Sequence, residues 1–293
     1  MHSINVAVIG GDLRQLSAAR RLLGLGHRVS ILGIDPSFIG DAPDGLRVGT
    51  NWQSEVGAAD CLLLPLPYSV DGVRVGAPLG KGEINLRDLL TKSVRCRLIL
   101  GGRLREEFLS AARERGIRAV DYAALDSFAQ RNALPTAEGA LEIALRELPV
   151  TIAGARILLC GWGRVAKALA DVLQPLGASI WVAARRTEAR EAVESAGMHA
   201  ISIPEIPESA RNAYDLVFNT VPVRVIGREA MEVLGDIPMV DLASLPGGFD
   251  LDAAEALGQN VILAPGLPGK TAPVSAGRIL ADCASEVIEE VFG

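Results

Sequence analysis

Aromatic side chains are scarce in this chain: Phe, Tyr and Trp together make up 4% of its 293 residues. An interior of that composition has to be filled by Val, Ile, Leu and Ala, the mixture of parallel sheets wrapped by helices. Lysine is rarer still, occurring only at Lys81, Lys92, Lys167 and Lys270, and the arginines are dispersed. With a net charge of -6 the chain lacks the clustered cations that neutralise nucleic-acid phosphates, so no nucleic-acid partner is expected. Cys61, Cys96, Cys160 and Cys283 are widely separated and have no histidine beside them, which excludes a zinc site or disulfide framework and leaves buried free thiols. No apolar stretch approaches the ~20 residues of a membrane span, and the N-terminal apolar run ends at two glycines rather than at a cleavage site. The expectation is a cytoplasmic protein without a membrane partner or a metal.

The length favours two packed units over one. Residues 5–9 form a short apolar run closed by Gly10-Gly11, 15–25 carry helical periodicity, and 28–32 resume the apolar pattern. That is a β-α-β opening. Strand-like runs at 61–64, 97–100 and 118–120, with a helix at 105–115, continue the alternation. At Pro135-Thr136-Ala137-Glu138 a helix start interrupts it, and Pro149 stops that helix. Strands at 156–160, 179–184, 216–219, 239–241 and 261–263 then repeat the rhythm, with helices at 165–173 and near 189–196. A last helix, 275–291, carries apolar Ile279, Leu280, Ala284, Val287, Ile288 and Val291. The predicted architecture is α/β, with two Rossmann-like doubly wound domains, residues 1–134 and 135–274. The helix from Thr136 bridges them, and a C-terminal helix within 275–293 returns to pack on the first.

The strand 156–160 runs directly into Gly161-Trp162-Gly163-Arg164-Val165-Ala166, a helix and a second strand, the context a dinucleotide fingerprint needs. Gly161 permits the tight turn, Gly163 lets a diphosphate approach the backbone, and Ala166 lets the helix sit close to the sheet. At the end of the second strand stand Ala184-Arg185-Arg186-Thr187, where a carboxylate would select NAD. Guanidinium groups there suit a 2′-phosphate, so NADP is the predicted cofactor. Gly10-Gly11-Asp12-Leu13-Arg14 instead has adjacent glycines and an acid where phosphate would sit, so the first half should hold no dinucleotide. With Arg14, that turn suits a substrate carboxylate.

Several motifs in order, Ala7 to Gln15, Leu134-Pro135-Thr136-Ala137-Glu138-Gly139, Asn219-Thr220-Val221-Pro222, Asp241-Leu242-Ala243-Ser244 with Pro246-Gly247-Gly248, and Ala264 to Gly269, resemble the A subunits of dipicolinate synthase over nearly the whole chain. Ala166 departs from the glycine usual in that family, and Gly101 to Arg105 find no match. The resemblance implies oxidation of a dihydrodipicolinate-type intermediate to pyridine-2,6-dicarboxylate during sporulation. NADP⁺ would accept the hydride, and the flavoprotein-like B subunit of dipicolinate synthase would be the partner.

A dicarboxylate substrate implies cations facing the interdomain cleft, and Arg14 and Lys270, the latter in a loop just before the closing helix, are the candidates, with a surface ion pair and a solvated loop charge as their alternatives; Thr136 is placed with them as an uncharged substrate contact. Asn219, Thr220, Val221 and Pro222 are placed against the nicotinamide ribose, with a purely structural turn as the alternative. Glu138, Asp241 and Ser244 are base or proton-relay candidates, each also suited to a cap or structural role. Two rivals stand beside this reading. One is another NADP-dependent dehydrogenase of the hydroxyacid or shikimate type, although the second half offers only His199 toward an Arg-Glu-His set. The other is a non-catalytic protein that binds NADP(H) within a complex. Homo-oligomerisation stays open.

Overall fold

The computed structural model describes residues 2–40, 43–80 and 82–293, which leaves Lys81 outside the described residues. The chain divides into two compact units, residues 1–132 with 272–293, and 133–271.

In the first unit the strands are β1 (Asn5–Ile9), β2 (Arg28–Leu32), β3 (Arg47–Val48), β4 (Cys61–Leu63), β5 (Leu98–Gly101) and β6 (Arg118–Asp121). Between and after them run α1 (Leu13–Gly24), α2 (Pro36–Ile39), α3 (Trp52–Ala58), α4 (Leu86–Lys92), α5 (Glu106–Arg113) and α6 (Asp126–Arg131). The strands are parallel in the order β3-β2-β1-β4-β5-β6, so the winding direction reverses between β1 and β4. The continuous apolar strands are buried on both faces, as a sheet covered by helices requires. Asp12 caps α1, its carboxylate accepting from the Arg14 N–H at 3.0 Å.

The second unit begins with α7 (Ala133–Glu147). Then follow β7 (Arg156–Cys160), α8 (Arg164–Leu173), β8 (Ser179–Ala183), α9 (Thr187–Ser195), β9 (His199–Ile201) and α10 (Ile206–Ser209). After these come β10 (Leu216–Asn219), α11 (Arg228–Leu234), β11 (Met239–Asp241), α12 (Leu251–Leu257), β12 (Val261–Leu263) and α13 (Leu267–Thr271). Its parallel sheet, β12-β11-β10-β7-β8-β9, has the same order as the first, reversing between β7 and β10. The expected α/β class with two doubly wound sheets is therefore borne out.

Details differ from the periodicity. His199 opens a sixth strand in the second sheet, too short to show an alternating pattern. Helix α7 starts at Ala133, three residues before Thr136, because proline is tolerated in a first turn, where its missing N–H has no partner to lose. The segment before the last helix is the short helix α13 rather than a loop. The last helix, α14 (Pro273–Phe292), starts two residues before Ser275 and belongs to the first unit, packed on α1. It buries Leu280, Ala281, Ala284, Val287 and Ile288 in the core under β1 and β2. Ser17 Oγ donates to the Val274 carbonyl at 2.8 Å. The exposed Arg21–Asp282, Arg118–Glu290 and Arg131–Glu286 pairs add little beside that apolar area.

All four cysteines are buried free thiols. Burial pushes Cys160 and Cys96 up to about 12, so both stay protonated and inert at neutral pH.

Candidate cofactor site

At the reversal point of the second sheet, β7 ends at Cys160 and the backbone turns through Gly161 with φ +100°. A side chain there would be strained, and its Cβ would meet Thr220 Oγ1 at 2.5 Å, so only glycine lets the turn lie against the loop after β10. Thr220 is fixed in turn, its Oγ1 donating to the Cys160 carbonyl at 2.8 Å. Gly163 is the N-cap of α8 and offers no side chain to the first helical amides. A Cβ added there would meet nothing within 4 Å. The turn thus combines an uncapped helix N-terminus with open space above it, the cradle an anionic diphosphate fits. Ala166 is fully buried against the sheet. Trp162, between the two glycines, is half-buried with its indole N–H lacking a partner, and Lys167 Nζ lies 5.9 Å from the ring centroid. Arg164 and Val165 form the first turn of α8.

At the end of β8, Arg185, Arg186 and Thr187 are exposed. Among the described residues neither the Arg185 nor the Arg186 side chain has a hydrogen bond or ion pair. A neighbour the local pattern did not single out, Arg190, reaches back to this turn. Its guanidinium donates to the carbonyls of Ala184 and Arg185 and to Thr187 Oγ1.

On the other side of the reversal, the loop after β10 is held by its own first residue. Asn219 is fully buried; its Oδ1 accepts from the Val221 N–H at 3.0 Å, and its Nδ2 donates to the Val221 carbonyl at 2.9 Å. Asp241, 3% exposed, accepts from Asn219 Nδ2, the Ala243 N–H and the Gly248 N–H. Gly248 is required there because a Cβ would run into the Asn219 amide. Both Asp241 oxygens are therefore engaged by the protein, and the side chain acts on loop geometry. Ser244 is exposed in the following turn, its carbonyl accepting from the Gly247 N–H at 3.0 Å.

Thr136 is half-buried and Glu138 exposed on α7, which packs on α8 and α13. Thr271 Oγ1 donates to Glu142 Oε2 at 3.3 Å, which joins α7 to the helix carrying exposed Lys270.

Arg14 forms the ion pair that stood as the alternative to substrate binding. Its Nε and Nη2 pair with the Asp12 carboxylate at 2.9 and 2.8 Å, and Nη2 also donates to the Leu66 carbonyl at 2.8 Å. Burial works to lower the Arg14 pKa, but the hydrogen bonds and charge of Asp12 outweigh it and raise the pKa above its ordinary value. Asp12 serves both as the cap of α1 and as the partner of Arg14.

Comparison with known proteins places these features. Residues 5–123 match the family model for the N-terminal domain of the dipicolinate synthase A subunit. Over 98% of its length the chain is 28% identical to the A subunit of dipicolinate synthase from Bacillus subtilis (strain 168), covering 97% of that protein. The chain is thus similar to the dipicolinate synthase A subunits along nearly its whole length. The crystal structure of the B. subtilis protein superposes with a TM-score of 0.86 over 99% of this chain and 97% of that one. The corresponding protein from Bacillus halodurans gives the same TM-score of 0.86 at 29% identity, covering 97% of each chain. An NAD-dependent formate dehydrogenase from Staphylococcus aureus, solved in complex with NAD, shares the fold at 14% identity, with a TM-score of 0.54 over 99% of this chain and 96% of that one. Among the described residues no helix is long and apolar enough to cross a membrane, and no group of three or more His, Cys, Asp or Glu is placed to hold a metal ion.

Proposed function

We propose that the chain is the A subunit of a dipicolinate synthase. In this reading it uses NADP⁺ to oxidise a dihydrodipicolinate-type intermediate to pyridine-2,6-dicarboxylate in the cytoplasm of a sporulating cell, with the B subunit of dipicolinate synthase as its partner. The observation that carries the cofactor is the pairing of an open, uncapped turn at Gly163 with two unpaired guanidinium groups after β8. Backbone amides of residues 163–165, framed by Gly161 and Trp162, hold the diphosphate. Arg185 and Arg186, with Thr187, hold the 2′-phosphate. Thr220, Val221 and Pro222, held in place by the buried Asn219, form the wall beside the nicotinamide ribose.

NADP⁺, when bound, supplies the hydride acceptor. The ring loses that hydride and one proton and becomes aromatic. Lys270 and Thr136 are assigned to the substrate carboxylates, and Arg14 only through what its Asp12 pair leaves free. Glu138 and Ser244, both exposed, are the groups open to take the proton. Asp241 is assigned to holding their surroundings rather than to proton transfer, because its lone pairs already receive three N–H groups.

The test is to incubate the purified chain with the dihydrodipicolinate precursor and NADP⁺, in the presence and absence of the purified partner, and to follow NADPH and pyridine absorbance together. Both should rise in step. Product only with both chains assigns a shared active site, and NADPH binding without product in either mixture leaves a cofactor-binding protein that does no chemistry.

A further inference from the structure

The turn that carries Arg185 and Arg186 is tied by one side chain from outside it. Arg190 Nη1 donates to the Ala184 carbonyl at 3.1 Å and to the Arg185 carbonyl at 3.0 Å, and Nη2 donates to Thr187 Oγ1 at 3.0 Å. The Ala184 N–H is fixed from the other side, donating to the Ile201 carbonyl at 3.0 Å, so the turn leaves the sheet from a paired position. Two carbonyls and a hydroxyl around one planar group call for the fork of guanidinium; an ammonium presents a single point of attachment.

The arrangement keeps three positive charges close together. Arg185 and Arg186 are exposed and have no acidic partner among the described residues, and Arg190 lies half-buried against the same turn. Left to itself such a segment relaxes by opening, which spreads the charges. The Arg190 bonds oppose that opening.

We propose that Arg190 is a positioning residue for 2′-phosphate selectivity: it touches the turn and not the ligand, and holds Arg185 and Arg186 side by side as a ready clasp for a dianion. The proposal rests on the reading that NADP(H) binds at the Gly161 to Ala166 turn. Its physical content is preorganisation, since a turn already shaped loses less freedom when the phosphate arrives. A ligand without that phosphate gains nothing from it.

The experiment is equilibrium binding of NADPH and NADH to the full chain, for wild type, Arg190→Ala and Arg190→Lys, with circular dichroism and the thermal midpoint recorded without cofactor. Wild type should prefer NADPH. Both variants should lose about tenfold of the NADPH-over-NADH ratio, with NADH affinity unchanged. Arg190→Lys keeps the charge and loses the fork, so a ratio retained by Lys but lost by Ala assigns a charge effect and overturns the proposal. A ratio retained in both variants overturns it as well, as does equal loss of NADPH and NADH, which marks general damage to the unit. A wild-type chain with no NADPH preference overturns the cofactor reading itself, and this inference with it.

Discussion

Asn219 Nδ2 donates to Asp241 Oδ1 across 2.8 Å, between residues that stand opposite each other at the carboxyl ends of the parallel strands β10 and β11. The bond ties together the first residues of two loops that backbone bonds from Val225 and Ile226 to the Gly248 carbonyl join again farther along. Asn219 shapes the turn to Val221, and Asp241 shapes the one to Gly248. Replacing Asp241 by Asn preserves volume but leaves a single acceptor oxygen for three donors. At least one buried N–H group then lacks a partner, which costs about 1–3 kcal/mol. Urea unfolding of Asp241→Asn should show that loss, and binding of NADPH and NADH should weaken alike, since the proposed site sets these loops beside the nicotinamide ribose that both cofactors carry. An unchanged urea midpoint would mean that the network contributes no net stability.

Gly163 allows the phosphate site to be tested without harming the fold. Its backbone is extended, φ -89° and ψ -168°, and the space around its Cβ position is open, so Asp fits there as an ordinary helix N-cap. The new carboxylate occupies the amides and repels a diphosphate. Gly163→Asp should keep or slightly raise the thermal midpoint while weakening dinucleotide binding by at least about 2 kcal/mol, roughly thirtyfold in Kd. Undiminished affinity in calorimetry would move the diphosphate to another place.

Much of this was legible in residue order because its causes are local. A strand, two glycines at fixed spacing, a helix and a second strand ending in Arg185-Arg186 form one contiguous segment, and the parallel strands are continuous apolar runs. What escaped depends on partners far along the chain. The bond between Asn219 and Asp241 spans 22 positions and exists only because β10 and β11 are neighbours. Arg190 carries no signal in residue order, because only the turn into α9 brings it back toward the carbonyls it binds. For Arg14 the sequence left substrate binding and an ion pair side by side, and only the fold supplies the Asp12 partner, while His199–Ile201 is too short for an alternating pattern to develop.

Arg185 is the direct test of cofactor choice. Its side chain is exposed and unpaired, so truncation removes no contact that supports the fold. Arg185→Ala should weaken NADPH binding by about 1.5–3 kcal/mol, the worth of a charge-assisted hydrogen bond, and leave NADH where it was. Competition between the two cofactors measures the ratio directly. A ratio equal to that of wild type would place the 2′-phosphate elsewhere or remove it from the reading.

His27, between α1 and β2, is 3% exposed, and neither ring nitrogen has a hydrogen-bond partner. Burial holds its pKa below the ordinary value, with the charge of Glu289 opposing in part. The unfolded chain therefore takes up a proton that the folded chain refuses. Stability from neutral His27 is fully present above about pH 6.5 and falls as the pH drops below it, by up to about 1.4 kcal/mol per unit until the folded group also titrates. Urea midpoints from about pH 7.5 down to 5.5 should decline more steeply for wild type than for His27→Gln. Parallel profiles would show that His27 already shares the proton in the folded state.

The two sheets have the same strand order, yet they should not bind the same number of nucleotides. In the first unit the Gly11 N–H, which would face a diphosphate, donates to the Gly76 carbonyl at 2.7 Å. The segment continues past the carboxyl end of β2, where the Asp35 N–H donates to the Leu79 carbonyl at 2.8 Å. An incoming phosphate would have to displace a backbone carbonyl, meet the Asp12 carboxylate, and leave Gly76 without its donor. Each of these opposes binding, and Arg14, the guanidinium of that turn, does not offset them because it is already paired with Asp12. Calorimetric titration with NADPH should therefore close at one molecule per chain. Gly163→Asp should weaken that single event without revealing another, and a stoichiometry of two in wild type, or a site of wild-type affinity retained in the variant, would show that the first sheet accepts a dinucleotide after all.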